Sequence, residues 1–460
     1  MTEYADLPAT ELLRGYKAGD LSPSEAIEAV ISRIESSERS IAALYDYRPD
    51  AAREAAREAE RRWRSGQPRA LEGVPVTIKE NIATKGTPMP LGTAARELAA
   101  APEDAPSAAR LREAGAVILA KTTMPDYGMM SSGLSSFHPL TRNPWDLTKN
   151  PGGSSSGAGA AAAAGYGPLH LGTDIGGSIR LPAGWCGVFG LKPSFGRVPV
   201  DPPYWGRVAG PMTRNVADAA LMMREISRPD PRDAMSLPPA DIAWEVLDIE
   251  IRGLRIGLQL EAGIGMEAEG EVRACIEDAA RSFQAAGASV EPVKPFLTRE
   301  MLDGLDTFWR QRAWSDIGAL TETERARMLP YILRWAEGGR DLSGPEVYRG
   351  LSQMGAMRDA TLRATQGFDF VLSPVAPCPA YAAELPSPLN DPDRPFEHIC
   401  FTVPYNFSEQ PAASINAGYS SGGLPIGLQI AGRRFDDLGV LRLSAAFERM
   451  RGEQRPWPKL

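Results

Sequence analysis

Histidine is nearly missing from this chain. The 460 residues include only His138, His170 and His398, and none of them forms HExxH or another close pair. The sequence therefore gives no support to a zinc hydrolase, and no metal is expected. Cysteine is almost as scarce. Cys186, Cys275, Cys378 and Cys400 are scattered without a CxxC, which fits a reduced, cytoplasmic protein. No apolar run approaches the length of a membrane span. The opening MTEYADLPATELL lacks the basic and apolar regions of a secretory leader. A net charge of −8 argues against nucleic acid or an anionic membrane as partner. Lysine is rare too, at 8 of 50 basic residues, so a lysine inside an apolar strand is informative.

Glycine and serine are plentiful, and they concentrate between Pro151 and Lys192, in PGGSSSGAGAAAAAGYGPLHLGTDIGGSIRLPAGWCGVFGLK. Ser154 and Ser178 each follow a Gly-Gly pair, a sequence that lets backbone N–H groups turn toward a ligand. Amides just before a hydroxyl nucleophile in Asp174-Ile175-Gly176-Gly177-Ser178 suit the charge of a tetrahedral intermediate. Asp174 and Arg180 flank that loop with opposite charges and read as a brace. Cys186 reads as a small buried hydrophobe.

The length fits two or three domains or one large α/β domain. Residues 8–18, 22–37 and 50–64 read as helices, the second opened by Ser22-Pro23-Ser24-Glu25, a capping box with proline at the first helical position. They form an expected N-terminal helical segment, residues 1–65, packed on a catalytic region, residues 66–460. Residues 74–79 form a strand with Val76 and Ile78 on one face and Thr77 and Lys79 on the other. A helix at 104–115 and a strand at 116–120 complete a βαβ rhythm, which predicts a mainly parallel or mixed sheet. Lys79 and Lys121, both at strand ends, are equal candidates for a base on this evidence. Residues 124–150 read as a long loop in which Gly128, Met129 and Met130 could line a substrate. A proline-rich acidic linker spans 228–241, and strand, helix and strand patterns return at 254–259, 268–286 and 289–293. A mostly helical stretch at 298–366 carries Trp309, Trp314 and Trp335. Linker and helical cap make 228–366 the more variable part. Strands at 368–373 and 424–431 and a helix at 436–449 close the chain.

Gly153–Gly157 and Gly418–Gly422 both match G-x-S-x-G, but that motif is short. No histidine follows Ser420, and His170 and His398 lie in no recognisable loop after Ser155. A serine activated by lysine fits better. Deprotonating an ordinary lysine at pH 7 costs roughly 4–5 kcal/mol, and burial beside neutral hydroxyls reduces that cost. Arginine is too basic for this role. A serine between lysine and nucleophile would relay the proton and return it to a leaving nitrogen.

Lys79 in GVPVTIKENI, Ser154 in NPGGSSSGAGAAAAAG and Ser178 in LGTDIGGSIRLPAGWCGVFGLKPS, with a separation of 24 between the serines, resemble the amidase signature family. The similarity runs on through TRNPWD, GPMTRNVADAALM, FDFVLSP and GLPIGLQIAGRRFDD, over roughly residues 8–450. The resemblance implies an α/β fold: a single large domain around a mixed, twisted sheet with helices on both sides. It implies a Lys79–Ser154–Ser178 triad with a cis peptide before Ser154, and it favours Lys79 over Lys121. It places the oxyanion at the N–H groups of Ile175, Gly176, Gly177 and Ser178, with Gly128 lining the substrate and Ser155, Asp174 and Arg180 in support. No cofactor is implied. The expected activity is hydrolysis of a small carboxylic amide, with the tryptophan-rich cap, Met129, Met130 and Tyr204-Trp205 leaning toward an apolar or aryl acyl group. A homodimer is left open. Two other functions fit less well: the amidase subunit of a tRNA-dependent amidotransferase, and a binding-only relative, which would be expected to have lost a catalytic residue. Ser156 departs from the family's usual glycine and bears on loop geometry only.

Overall fold

The computed structural model describes residues 2–460. Eleven strands form one sheet: β1 Leu44–Tyr45, β2 Pro75–Lys79, β3 Val117–Thr122, β4 Leu169–Asp174, β5 Phe189–Lys192, β6 Val208–Thr213, β7 Arg255–Leu258, β8 Ser289–Pro292, β9 Phe370–Pro374, β10 Ala412–Tyr419 and β11 Pro425–Gly432. Their order is β1-β3-β2-β4-β6-β5-β10-β11-β9-β7-β8. The β2–β3, β2–β4, β7–β8 and β7–β9 pairs are parallel and the remainder antiparallel, so the sheet is mixed as expected.

Helices cover both faces. On one, Val76, Ile78, Leu169 and Leu171 share a core with Val216, Met222 and Met223 of the helix Val216–Ile226 and with Leu441 and Leu443 near the C-terminus. On the other, the helix Ser156–Ala164 is buried along its whole length, and Ala160, Ala161 and Ala164 pack with Val117, Leu119 and the N-terminal Ile27, Val30 and Ile34. Only small side chains allow a helix to lie that close to a sheet. The N-terminal segment also reaches the sheet directly, since β1 pairs with β3. The helices Arg299–Ile317, Pro330–Glu337 and Gly344–Thr365 contribute a separate apolar cluster that includes Trp309, Trp335, Phe396 and Ile399. Among the described residues no helix is long and apolar enough to cross a membrane.

The strand alternation decides which lysine meets the serines. A register shift between Val76 and Thr77 sets Lys79 beside Thr122 and Ile78 beside Lys121. Parallel neighbours point to the same face. Lys121 therefore follows Ile78 away from Lys79, and its Nζ donates to the Ile82 carbonyl and, at 2.7 Å, to Thr84 Oγ1.

Candidate active site

Lys79 ends β2 with no exposed surface, at the sheet end where the Asp174–Ser178 loop leaves β4. Its Nζ lies 2.8 Å from Ser154 Oγ and 3.0 Å from Ser155 Oγ. Burial, then the positive charge of Arg207, holds this amine well below its usual 10.5, against weaker pulls from Asp174 and Glu80. A neutral amine is what a base requires. Ser155 is fully engaged: its Oγ also donates to the Thr173 carbonyl at 3.1 Å and accepts from Thr173 N–H at 3.3 Å. Among the described residues Ser154 Oγ has no such second partner, and the peptide bond before it is cis. Gly128 (φ +69°) sits so close that a Cβ there would stand 3.3 Å from Ser154 Oγ. Ser156, the departure from glycine, opens its helix and donates to the Ser132 carbonyl at 3.0 Å, so the loop absorbs the hydroxyl.

Asp174 organises the second serine. Its carboxylate accepts from the N–H groups of Gly177 (2.9 Å) and Ile179 (3.0 Å), from Arg180 Nε (3.1 Å) and Nη2 (2.9 Å), and from Asn406 Nδ2 (2.8 Å). Burial alone would raise this carboxyl, but the Arg180 guanidinium and these donors hold it well below the usual carboxylate range. Arg180 is buried as well and ties the loop to Thr402, Asn406 and Gln429. The expected brace is present, and it changes one assignment. Gly177 N–H is committed to Asp174 and is not free for an oxyanion. Gly177 is needed for another reason: its φ is +130°, and a Cβ would stand 2.5 Å from Thr402 Oγ1. Among the described residues the N–H groups of Ile175, Gly176 and Ser178 have no acceptor.

Ser154, Ser178, Ile175 and Gly128 line one cavity of about 280 Å³. From Ser178 a smaller, mainly apolar pocket of about 40 Å³ continues between Met129, Met130, Leu181, Trp309, Phe396 and Ile399, with Ser131 and Arg312 also on its wall. Of the three cap tryptophans only Trp309 reaches this wall. Trp335 is buried and donates to Asp306, and Trp205 donates to Glu409. Lys121 lines a different cavity with Asp46 and Arg48. The histidines are held elsewhere: His138 by Glu80, His170 by Thr77 and the Gly167 carbonyl, and His398 by Ser131. Burial pushes His170 down to about 3 and His398 to about 4. This leaves no histidine base for either serine.

Two residues that the sequence does not single out, Arg207 and Arg312, also line the main cavity. No motif marks them among 42 arginines. Burial, then the neighbouring Arg312 charge, lowers Arg207 to about 10, so it remains a cation at neutral pH.

A family model described as Amidase matches residues 25–441. The chain belongs to the amidase signature family. It is 34% identical over 505 residues to the A-subunit of the glutamyl-tRNA(Gln) amidotransferase of Thermodesulfovibrio yellowstonii, covering 100% of this chain and 99% of that one. Among solved structures it superposes on a bacterial aryl acylamidase of the amidase signature family with a TM-score of 0.89, at 32% identity and 96% coverage of each chain. The A-subunit of the Thermotoga maritima glutamyl-tRNA(Gln) amidotransferase superposes with a TM-score of 0.81 at 28% identity, covering 99% of this chain and 98% of that one. This amidase-signature protein is an amidohydrolase acting on a C–N bond, which sets the binding-only alternative aside.

Proposed function

We propose that this protein hydrolyses small carboxylic amides with an apolar or aryl acyl group, through Lys79, Ser154 and Ser178 and an acyl-enzyme. The observation that carries the reading is a buried lysine 2.8 Å from the hydroxyl of Ser154, a residue that lines one cavity with Ser178 and Ile175. Neutral Lys79 takes the Ser154 proton, and Ser154 takes the Ser178 proton as Ser178 Oγ bonds to the carbonyl carbon. The carbonyl oxygen gains the electron pair and is held by the N–H groups of Ile175, Gly176 and Ser178. As the carbonyl re-forms, the C–N bond breaks and Ser154 returns the proton to the departing nitrogen. Water then attacks the ester through the same relay, releasing the acid and restoring Ser178.

The amidotransferase reading has direct support from the curated relatives, whose names carry it at 34% identity over the whole chain. It would require glutamine as ammonia donor and partner subunits in place of a homodimer. Against it stands the pocket beside Ser178. Glutamine's ammonium calls for a carboxylate; the pocket that continues from Ser178 on the acyl side has none, and Asp201 and Asp316 line only the main cavity, which Ser154 borders.

A substrate panel separates the two: short-chain acyl anilides, primary aliphatic amides and glutamine, with amine and ammonia release followed for wild type and Ser178→Ala. Turnover of acyl anilides by wild type alone supports the amidase reading. Turnover of glutamine alone supports the amidotransferase reading.

A further inference from the structure

Resting on the amidase reading, we propose that the substrate carries an anionic group on its amine portion, and that Arg207, aided by Arg312, binds it. Arg207 precedes β6, which pairs antiparallel with β4 so that Val208 lies beside Asp174. Its guanidinium therefore reaches the sheet end occupied by the catalytic loop. Among the described residues its side chain makes no hydrogen bond and no ion pair. Arg312 also lacks a carboxylate partner and lies 4.1 Å from the centre of the Tyr204 ring. Two guanidiniums that line one cavity without a paired carboxylate suit an acceptor-rich ligand, and a guanidinium fits a carboxylate with two parallel hydrogen bonds. Asp201 and Asp316 also line the cavity, but both are solvent-exposed and neither pairs with Arg207 or Arg312.

The side of the substrate follows from the lining. Ser154, which must protonate the leaving nitrogen, borders the main cavity and not the apolar pocket, while Ser178 borders both. The acyl group therefore enters the apolar pocket and the amine occupies the main cavity. Arg207 borders only the main cavity, the amine's side, while Arg312 stands where the two meet and borders both. The substrate class is thus an N-acyl amino acid or N-acyl aminobenzoate with a short apolar acyl chain.

The test compares kcat/KM for N-butanoyl-4-aminobenzoate and N-butanoyl-4-toluidine, which differ by a carboxylate for a methyl group. Wild type is expected to favour the acid about 10- to 100-fold. Arg207→Gln should abolish that preference, and Arg207→Lys, which keeps the charge but not the fork, should retain part of it. Because the readout is a ratio between substrates, any general effect on Lys79 cancels. Equal turnover by wild type, or a preference that survives in Arg207→Gln, overturns the inference and leaves the amidase reading standing. Hydrolysis of neither substrate overturns the amidase reading itself and the inference with it.

Discussion

Lys79 is a base only because it is buried and close to positive charge. Arg207 contributes to that, so Arg207→Gln should raise the lysine's pKa. The acid limb of kcat/KM against pH, measured on the neutral toluidide, is then expected to move to higher pH. An unmoved limb would remove Arg207 from the account of Lys79. The same burial makes Lys79 a stability cost at neutral pH. The unfolded chain binds a proton there that the native state does not, so native stability rises with pH toward the ordinary lysine value of 10.5. Lys79→Met should therefore be more stable than wild type by about 1 kcal/mol at pH 7, with the gap narrowing as pH rises. Urea midpoints across pH check this. Lys79, Ser154 and Ser178 are legible in the sequence because each sits in a dense local motif. Arg207 is not, because only the β4–β6 pairing brings it within reach of Ser178, 29 residues earlier in the chain.

At the scale of elements, the Asp174–Ser178 loop depends on one buried ion pair. Asp174→Asn leaves Arg180 charged and buried without its counter-ion, and should cost about 3–5 kcal/mol in denaturant unfolding. A midpoint unchanged from wild type would show that Asp174 does not brace the loop. The elements legible in the sequence are those with a clear period, such as β2, β3 and the closing helix Asp437–Met450. Strands β5 (FGLK), β6 (VAGPMT) and β10 (AASINAGY) carry no such signal. They lie in the sheet interior, buried wholly or in large part, and glycine, alanine or proline interrupts each of them or both sides are apolar, so they show no clear alternation and few β-branched residues. The capping box at Ser22 and Glu25 is legible, and its helix runs on past the expected end to Ile41.

Across the whole molecule, residues 1–65 read in the sequence as a segment packed on the catalytic region. Ile27, Val30 and Ile34 share a cluster with Val117 and Leu119 of the sheet and Ala160 and Ala161 of the glycine-loop helix. Deleting residues 2–65 should expose that surface and yield protein that is insoluble or binds an apolar dye. Soluble, active protein from the deletion would make the segment an independent appendage. The central claim concerns one atom, Ser178 Oγ, and the most direct measurement is peptide mass spectrometry after brief reaction with a slowly hydrolysed activated ester. The account predicts the acyl mass on the Ser178 peptide, its absence in Ser178→Ala, and at least about a thousandfold loss of amide turnover in that variant. An adduct on Ser154 or Ser155, or full turnover by Ser178→Ala, would contradict it.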